Sequence, residues 1–235
     1  MKKILYISLL ISQLSFSQEE REVGNFNKVT SFDKIDVTLI QAEENKVVLN
    51  GNDSESVEIV NKNGELKIRM PFLKLMSGDN ISATVYFKNI SAVEANEGSR
   101  ISSDENFEAI SFDIIAKEGA IVKLKLNVDR ATIKSASGGI IEVSGNATNQ
   151  EVVLGSGGIL RASDLKTKQT IITVNAGGEG EVFASDLVDA KVRAGGNILI
   201  YGKPKQINKN VIVGGKIQMV EDLMEHSNKK YLKTN

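Results

Sequence analysis

The sequence predicts an all-β protein, built as a single-stranded parallel β-helix (β-solenoid) with coils of about 20 residues. Gly-Gly pairs recur at a nearly constant spacing through the second half of the chain, and apolar residues alternate in phase with them. The composition also favours many short strands joined by tight turns, with 20 glycines, only two prolines and no tryptophan. An internal period near 20 residues is typical of a solenoid, in which each coil packs only on its neighbours.

The first 17 residues have the features of a secretory signal peptide. Two lysines precede an apolar run at residues 4–14 that is too short to span a bilayer, and Ser15 and Ser17 provide small residues before Gln18. We therefore expect residues 1–17 to be removed on export to the periplasm, the cell surface or the medium. The chain has no cysteine, so neither a lipoprotein anchor nor a disulfide is predicted.

The charge balance excludes one class of partner. The chain carries 29 Lys and Arg against 30 Asp and Glu, and loss of the two leader lysines would take the net charge from −1 to about −3. Nucleic-acid binding needs a basic stripe, and this sequence has none. No second apolar run approaches transmembrane length, so the mature chain is not predicted to span a membrane.

Residues 18–95 are predicted to form less regular β-strands. Asn63-Gly64 is a strong signal for a type I′ hairpin turn between two of them. We expect this portion either to begin the solenoid or to form a lobe covering its open end, which would otherwise be an aggregation-prone edge. The predicted strands lie at residues 34–41, 46–50, 56–61, 65–70 and 81–87.

Residues 96–219 hold the repeat itself. A sharp corner needs either a positive φ or room for the backbone of the next coil, and glycine provides both. Each Gly-Gly pair is therefore predicted to mark a corner between two strands of one coil. The second glycine of each pair stands at Gly139, Gly158, Gly178, Gly196 and Gly215, and single-glycine versions stand at Gly98 and Gly119.

The residues around these pairs alternate with period two. Two and four residues after the second glycine, the side chains are mostly apolar, as at Ile141, Leu160 and Ile198, and they are predicted to point inward. Gly180 takes one of these inward places, which predicts loose packing in its coil. Two residues before the second glycine, four repeats hold small residues that are also expected to point inward at a narrow corner: Ser137, Ser156, Ala176 and Ala194.

Residues 220–235 form a polar tail that we expect either to cap the last coil or to fray. The tail holds the chain's one histidine, His226, so neither a histidine-based triad nor a zinc cluster is predicted. The glycines match neither of the common phosphate-binding motifs.

Two aspartates are the strongest candidates for chemistry. Asp164 and Asp186 each lie in an Ala-Ser-Asp-Leu phrase after a strand, on neighbouring coils. Stacked one coil apart, they would bind a cation such as Ca²⁺ or share a proton. The structural alternative is that each aspartate opens a turn by accepting a nearby backbone N–H.

Charged residues also recur on the outward face of the repeat. Glu142, Arg161 and Glu181 occupy the same position in three successive coils and form a ladder of alternating sign. The ladder is interpreted either as a catalytic arginine between two acids or as a solvated face in which opposite charges are neighbours.

A small basic and aromatic cluster follows the last full strand. Tyr201, Lys203 and Lys205 surround Pro204, and they would either contact an anionic glycan or form a solvated turn. Aromatic residues make up only 5% of the chain, which argues against a tight site for a neutral glycan.

Several stretches resemble the head GIN domain family of auto-transporter adhesins, which is common in exported bacterial proteins. They are FDKIDVTLIQ near the start, EANEGSRI in the middle, the serial SGG and AGG coils and, most specifically, GGNILIYGKPKQINKNVIVGGKI. The resemblance covers most of the mature chain. It implies a β-helical solenoid and a role in adhesion, and it brings no catalytic residues with it.

These observations predict a non-catalytic exported protein that binds through extended β faces, as an adhesin-like or cell-envelope interaction module without a cofactor. The expected partner is a cell-surface glycan or another envelope protein. The alternative is a carbohydrate-active or Ca²⁺-dependent β-helix enzyme acting on polysaccharide, with Asp164 and Asp186 as its site.

Overall fold

A computed structural model describes residues 19–221. The predicted leader, 1–17, and the tail from residue 222 onward, with His226, lie outside the described residues. No helix among residues 19–221 reaches the length and apolar character that a membrane crossing requires. Two short 3₁₀ helices, Ser54–Ser56 and Phe72–Lys74, interrupt an otherwise β structure.

The strands differ in length between the two parts of the chain. The first eight are β1 (Glu19–Glu22), β2 (Lys28–Ser31), β3 (Asp36–Gln41), β4 (Lys46–Gly51), β5 (Glu58–Lys62), β6 (Glu65–Arg69), β7 (Ile81–Phe87) and β8 (Ala92–Ala95). Three long strands follow: β9 (Arg100–Lys117), β10 (Ile121–Ala136) and β11 (Ile140–Gly155). The others are β12 (Ile159–Ala162), β13 (Leu165–Asn175), β14 (Glu179–Phe183), β15 (Leu187–Arg193), β16 (Asn197–Tyr201), β17 (Gln206–Val211) and β18 (Lys216–Met219).

Each coil has a first arm after its corner, a bend, and a second arm that leads to the next corner. The long strands bend to supply both arms of one coil. Neighbouring coils pair in parallel and in register, with Ile141 beside Leu160 on the first arm and Leu154 beside Val174 on the second. Coils recur about every 19 residues over about seven turns, so the predicted β-solenoid is confirmed.

The interior is a column of aliphatic side chains. Ile141, Leu160 and Ile198 are fully buried, as the alternation predicts. Each such side chain contributes about 1.5–3 kcal/mol when it leaves water, and the column repeats this in every coil. In the last coil the corresponding residues, Ile217 and Met219, are only partly buried because no further coil packs on them within the described residues.

The corner is a two-residue turn in which both residues are left-handed. After β10, Ser137 has φ 51° and Gly138 has φ 75°, and the N–H of Gly139 donates to the carbonyl of Ala136 at 2.9 Å. Positive φ at both central residues is the mark of a type I′ turn. The next residue, Gly139, is needed for a different reason: a Cβ there would lie 2.3 Å from the carbonyl oxygen of Ala116 in the preceding coil.

The prediction that the small residues before the glycines point inward is wrong. They are exposed, because each is the first residue of its turn, with φ between 50° and 60°. Left-handed backbone disfavours bulky and branched side chains, which accounts for the small residues. The residues concerned are Ser137, Ser156, Ala176 and Ala194.

The predicted loose packing at Gly180 is also wrong. A Cβ at Gly180 would lie 2.6 Å from Cδ1 of Ile172 and 3.2 Å from Cδ1 of Leu154. These two side chains therefore fill the space that a larger residue would take.

Stacked turns are joined by backbone hydrogen bonds. The N–H of Gly119 donates to the carbonyl of Ser137 at 3.1 Å, and the N–H of Gly138 donates to that of Ser156 at 3.2 Å. The parallel ladder thus continues from one arm through the corner to the other. We call this stack the corner ridge; its turns begin at Asp33, Glu97, Glu118, Ser137, Ser156, Ala176 and Ala194.

The N-terminal strands both begin the solenoid and cover its end. β2 pairs in parallel with β6 and β8, and β3 pairs in parallel with β7 and β9. β1 and β4 add antiparallel strands, and β5 forms the predicted hairpin with β6, in which Asn63 and Gly64 have φ 54° and 79°. Since β6 and β7 run alongside β2 and β3, the segment 70–80 between them occupies a corner position.

A charge network joins β6, β2, β8 and β9 on the outward side. Lys28 Nζ lies 2.6 Å from Glu94 and 3.1 Å from Glu65, and Lys117 Nζ lies 2.9 Å from Glu94. Burial alone would raise the pKa of Glu65, but hydrogen bonds from Thr30, Lys28 and Lys67 outweigh it and lower the pKa to about 2. Hydrogen bonds from Lys28 and Lys117 likewise outweigh burial and lower the pKa of Glu94.

Gly139→Ala should lower the free energy of unfolding by about 1–3 kcal/mol, because the new Cβ overlaps the backbone of the preceding coil. Gly138→Asn should cost well under about 1 kcal/mol, since nothing lies within 4 Å of a Cβ there and asparagine tolerates positive φ. Urea unfolding followed by circular dichroism measures both. Equal losses in the two variants would contradict the separate roles given to the two glycines.

The charge network should make the fold sensitive to acid. The pKa values of Glu65 and Glu94 are lowered in the folded state, so their contribution is complete above pH 4.5 and is lost as the pH falls through the lowered values, about 2 for Glu65. Glu65→Gln should reduce stability at pH 7 by about 1 kcal/mol, allowing for solvent screening, and should weaken the acid dependence. Glu151→Gln, at an exposed site on the same sheet, is the control. An unchanged acid-unfolding midpoint in both variants would contradict the prediction.

Candidate functional site

A groove of about 500 Å³ runs along the bends between the first and second arms. It crosses five successive coils, from Ala109 to Ser185, and therefore lies along the axis of the solenoid. We call it the bend groove. Its lining residues are Ala109, Asn127, Val128, Asp129, Asn146, Ala147, Thr148, Lys166, Thr167, Lys168, Phe183 and Ser185.

In-register pairing makes the walls of the groove. Asn127 pairs with Asn146, and Asn146 pairs with Lys166, so one wall is a column of these three side chains. Two residues further along each coil, a second column forms the other wall: Asp129, Thr148 and Lys168. Each of the three central coils thus contributes one polar side chain to either wall.

Small and buried residues form the floor. Val128 pairs with Ala147 and Ala147 with Thr167, and none of the three is more than 6% exposed. Thr167 Oγ1 lies 2.8 Å from Thr170 Oγ1, which donates to Gln150 Oε1 at 3.1 Å. These buried hydrogen bonds hold the floor in place, so the groove is preformed.

An aromatic ring stands at one end of the groove. Lys166 Nζ lies 4.2 Å from the centre of the Phe183 ring, a cation–π contact, and also donates to the carbonyl of Ser163 at 3.0 Å. Phe183 pairs with Tyr201 in the next coil. Burial, followed by the Glu181 carboxylate 3.5 Å from the hydroxyl, raises the pKa of Tyr201.

The basic cluster predicted after the last full strand borders this groove. Lys205 Nζ lies 2.7 Å from Asp186 Oδ1, and this contact raises the pKa of Lys205. The backbone N–H of Asp186 donates to the carbonyl of Lys168, a wall residue, at 2.9 Å. Lys203 turns toward Glu221 instead, at 3.7 Å.

Asp164 and Asp186 do not stack. Leu165 pairs with Gly145 of the coil before it, whereas Leu187 pairs with Gln169, four residues after Leu165, so the two phrases are out of register. Asp164 lies in a second groove, of about 380 Å³, on the first-arm face. Within residues 19–221, no group of three or more His, Asp or Glu side chains is arranged to hold a metal ion.

The ladder of alternating charges forms in the predicted register. Glu142 pairs with Arg161, and Arg161 with Glu181. Arg161 Nη1 lies 3.1 Å from Glu142 Oε1, and both side chains are well exposed. An exposed pair of this kind contributes about 0–1 kcal/mol, which favours the interpretation as a solvated face.

Sequence reasoning missed the walls of the bend groove. Asn127, Asn146 and Lys166 follow the corner glycines by seven or eight residues, where the strict alternation of inward and outward residues breaks down. The recurring polar residue at that break was the available signal. It was weak because the residue type changes from coil to coil.

The fold has close counterparts among solved structures. A “putative adhesin” from Bacteroides fragilis is 17% identical with a TM-score of 0.80, and another from Parabacteroides distasonis is 19% identical with a TM-score of 0.68; in both cases 86% of this chain and 96% of the other are covered. A “putative lipid binding protein” from Parabacteroides distasonis is 18% identical over the same shares, with a TM-score of 0.65. At these identities the likeness shows the fold alone. None of the curated proteins matches the chain.

One family model matches residues 25–204, from just before β2 to just after β16. That range contains the corner ridge and the entire bend groove. The resemblance expected from the glycine-led coils is confirmed, and the chain belongs to the family described as “Putative auto-transporter adhesin, head GIN domain”.

Proposed function

We propose that the chain is an exported, non-catalytic binding protein of the adhesin type, and that its bend groove holds an extended polysaccharide. Membership of a family named for adhesins supports the general class. The observation that carries the specific proposal is the groove itself, which crosses five coils and has a polar side chain on each wall from each of the three central coils.

The groove chemistry matches a chain of sugars. Parallel coils lie about 4.8 Å apart, so the walls offer a regular series of donors and acceptors to successive hydroxyl groups. The amides of Asn127 and Asn146 both donate and accept hydrogen bonds, as does the hydroxyl of Thr148. The walls carry two lysines, Lys166 and Lys168, and one carboxylate, Asp129, and this net positive charge favours a polysaccharide that contains acidic sugars.

The placement of the carboxylates supports binding without hydrolysis. Glycosidases use two carboxyl groups that flank one bond, about 5–10 Å apart. Asp129 is the one carboxylate among the groove-lining residues, Asp186 is paired with Lys205 at its border, and Asp164 lies in the other groove. The enzyme alternative based on Asp164 and Asp186 therefore lacks the juxtaposition it needs.

Export predicts a shortened chain in the producing cell. The chain recovered from the periplasm or the medium should begin at Gln18, because the signal peptidase removes residues 1–17. Intact-mass spectrometry of the protein from a bacterial host measures this. A chain that retains residues 1–17 and stays in the cytoplasm would contradict the export proposal.

Removal of one groove wall should weaken polysaccharide binding. The double variant Asn146→Ala and Lys166→Ala should bind polygalacturonate, an acidic polysaccharide, at least about tenfold more weakly than the natural chain, because two adjacent coils lose their wall contacts. Isothermal titration calorimetry measures the affinity. Dextran, a neutral polysaccharide, should bind more weakly than polygalacturonate to the natural chain.

Lys134→Ala is the matched control, since Lys134 is an exposed lysine on the second arm, outside the groove. It should leave the affinity unchanged. Absence of binding across a panel of acidic and neutral polysaccharides would contradict the glycan proposal. Release of shorter sugars, abolished by Asp164→Asn or Asp186→Asn, would establish the enzyme alternative instead.

A further inference from the structure

The segment that replaces a two-residue corner between β6 and β7 exposes an unusual amount of apolar surface. Phe72 is 83% exposed and Leu73 is 93% exposed, and Leu75 and Met76 are about half exposed. We call residues 71–76 the apolar loop. A second run of exposed apolar residues, at 211–213, is less exposed, at 45–65%, and lies on the last described coil, where no further coil packs on it within residues 19–221.

The apolar loop is held in place by a buried carboxylate. Asp33, the first residue of the neighbouring turn on the corner ridge, is only 1% exposed. Its Oδ2 accepts the N–H of Met70 at 2.9 Å, and its Oδ1 accepts the N–H of Met76 at 2.8 Å. One side chain therefore fixes both ends of the loop, and the apolar tip is a preorganised part of the fold.

The charge within the loop is directed away from its tip. Lys74 Nζ lies 2.9 Å from Ser56 Oγ and 3.3 Å from Asp53 Oδ1, so the ammonium group turns toward the segment that precedes β5. At the base of the loop, Arg69 is paired with Glu58 at 2.8 Å. Phe72 and Leu73 are consequently left as an apolar projection whose neighbouring cations already have acidic partners.

We propose that the apolar loop inserts Phe72 and Leu73 into the interfacial region of a lipid bilayer. A bilayer accepts a convex apolar tip without a shape-matched pocket, and it favours burial of an aromatic and an aliphatic side chain. Because the nearby cations are paired, binding depends on apolar burial and owes little to anionic headgroups. Two inserted side chains should give weak and reversible membrane binding, comparable to that of a single lipid chain attached to a protein.

Lipid insertion is separate from polysaccharide binding, since residues 71–76 take no part in the bend groove. The two activities would let one molecule lie against a membrane while it holds a glycan along its side. Either proposal can fail without the other.

Co-sedimentation of the exported chain, which begins at Gln18, with phosphatidylcholine vesicles tests the inference. The natural chain should bind, and the double variant Phe72→Ser and Leu73→Ser should bind at least about tenfold more weakly, since each inserted apolar side chain is worth about that factor. Both residues are almost wholly exposed, so the variant should keep its fold, which circular dichroism checks. Binding should change less than about twofold between low and high salt.

Ile110→Ser is the matched control, because it removes an equally exposed apolar side chain from the bend region. It should bind vesicles like the natural chain. Failure of the natural chain to bind, or equal binding by the loop variant, would overturn the proposal. Loss of binding at high salt, or loop-dependent self-association without vesicle binding, would also overturn it, by assigning the contact to headgroup charge or to protein.

Discussion

The backbone ladder that continues through the corner ridge is the interaction on which the rest of the structure depends. A β-sheet ordinarily ends where its strands turn, and the turn then breaks the pairing between neighbours. Here a backbone N–H in a left-handed turn donates to a carbonyl in the turn of the next coil, so the first-arm and second-arm faces are joined along the corner ridge. The second glycine of a pair allows this, because its backbone packs against a carbonyl of the coil before it. Inward aliphatic residues then stack in register as a consequence.

Much of this architecture could be predicted from the sequence, and the errors have a common origin. Ile141, Leu160 and Ile198 are inward because period-two alternation reports the two faces of a strand. The same alternation fails across a turn, where the backbone leaves the strand conformation, and Ser137 is therefore exposed despite its position in the pattern. At Gly180 the pattern revealed a missing side chain but not the neighbours, Ile172 and Leu154, that fill its place.

The candidate site could be predicted less well, for a reason that is also physical. The shared Ala-Ser-Asp-Leu phrase suggested that Asp164 and Asp186 stack. Their coils differ in the length of chain between corner and bend, so the phrase occupies different positions along the two coils. Lys205 was predicted as a possible surface contact, and its pairing with Asp186 could not be foreseen because it depends on register across coils. Groove walls arise at bends, where no simple periodicity applies. Asn127, Asn146 and Lys166 are aligned by the pairing of neighbouring coils, which the sequence pattern does not reveal at a bend.

Coil-by-coil construction of the bend groove bears on how such proteins diversify. In a solenoid each repeat contacts only its neighbours, so the gain or loss of a repeat leaves the remaining contacts intact. A duplicated coil would lengthen the groove by one rung, about 4.8 Å, without altering its cross-section. Family members could thereby adjust the length of the groove in discrete increments and independently of the chemistry of any one rung.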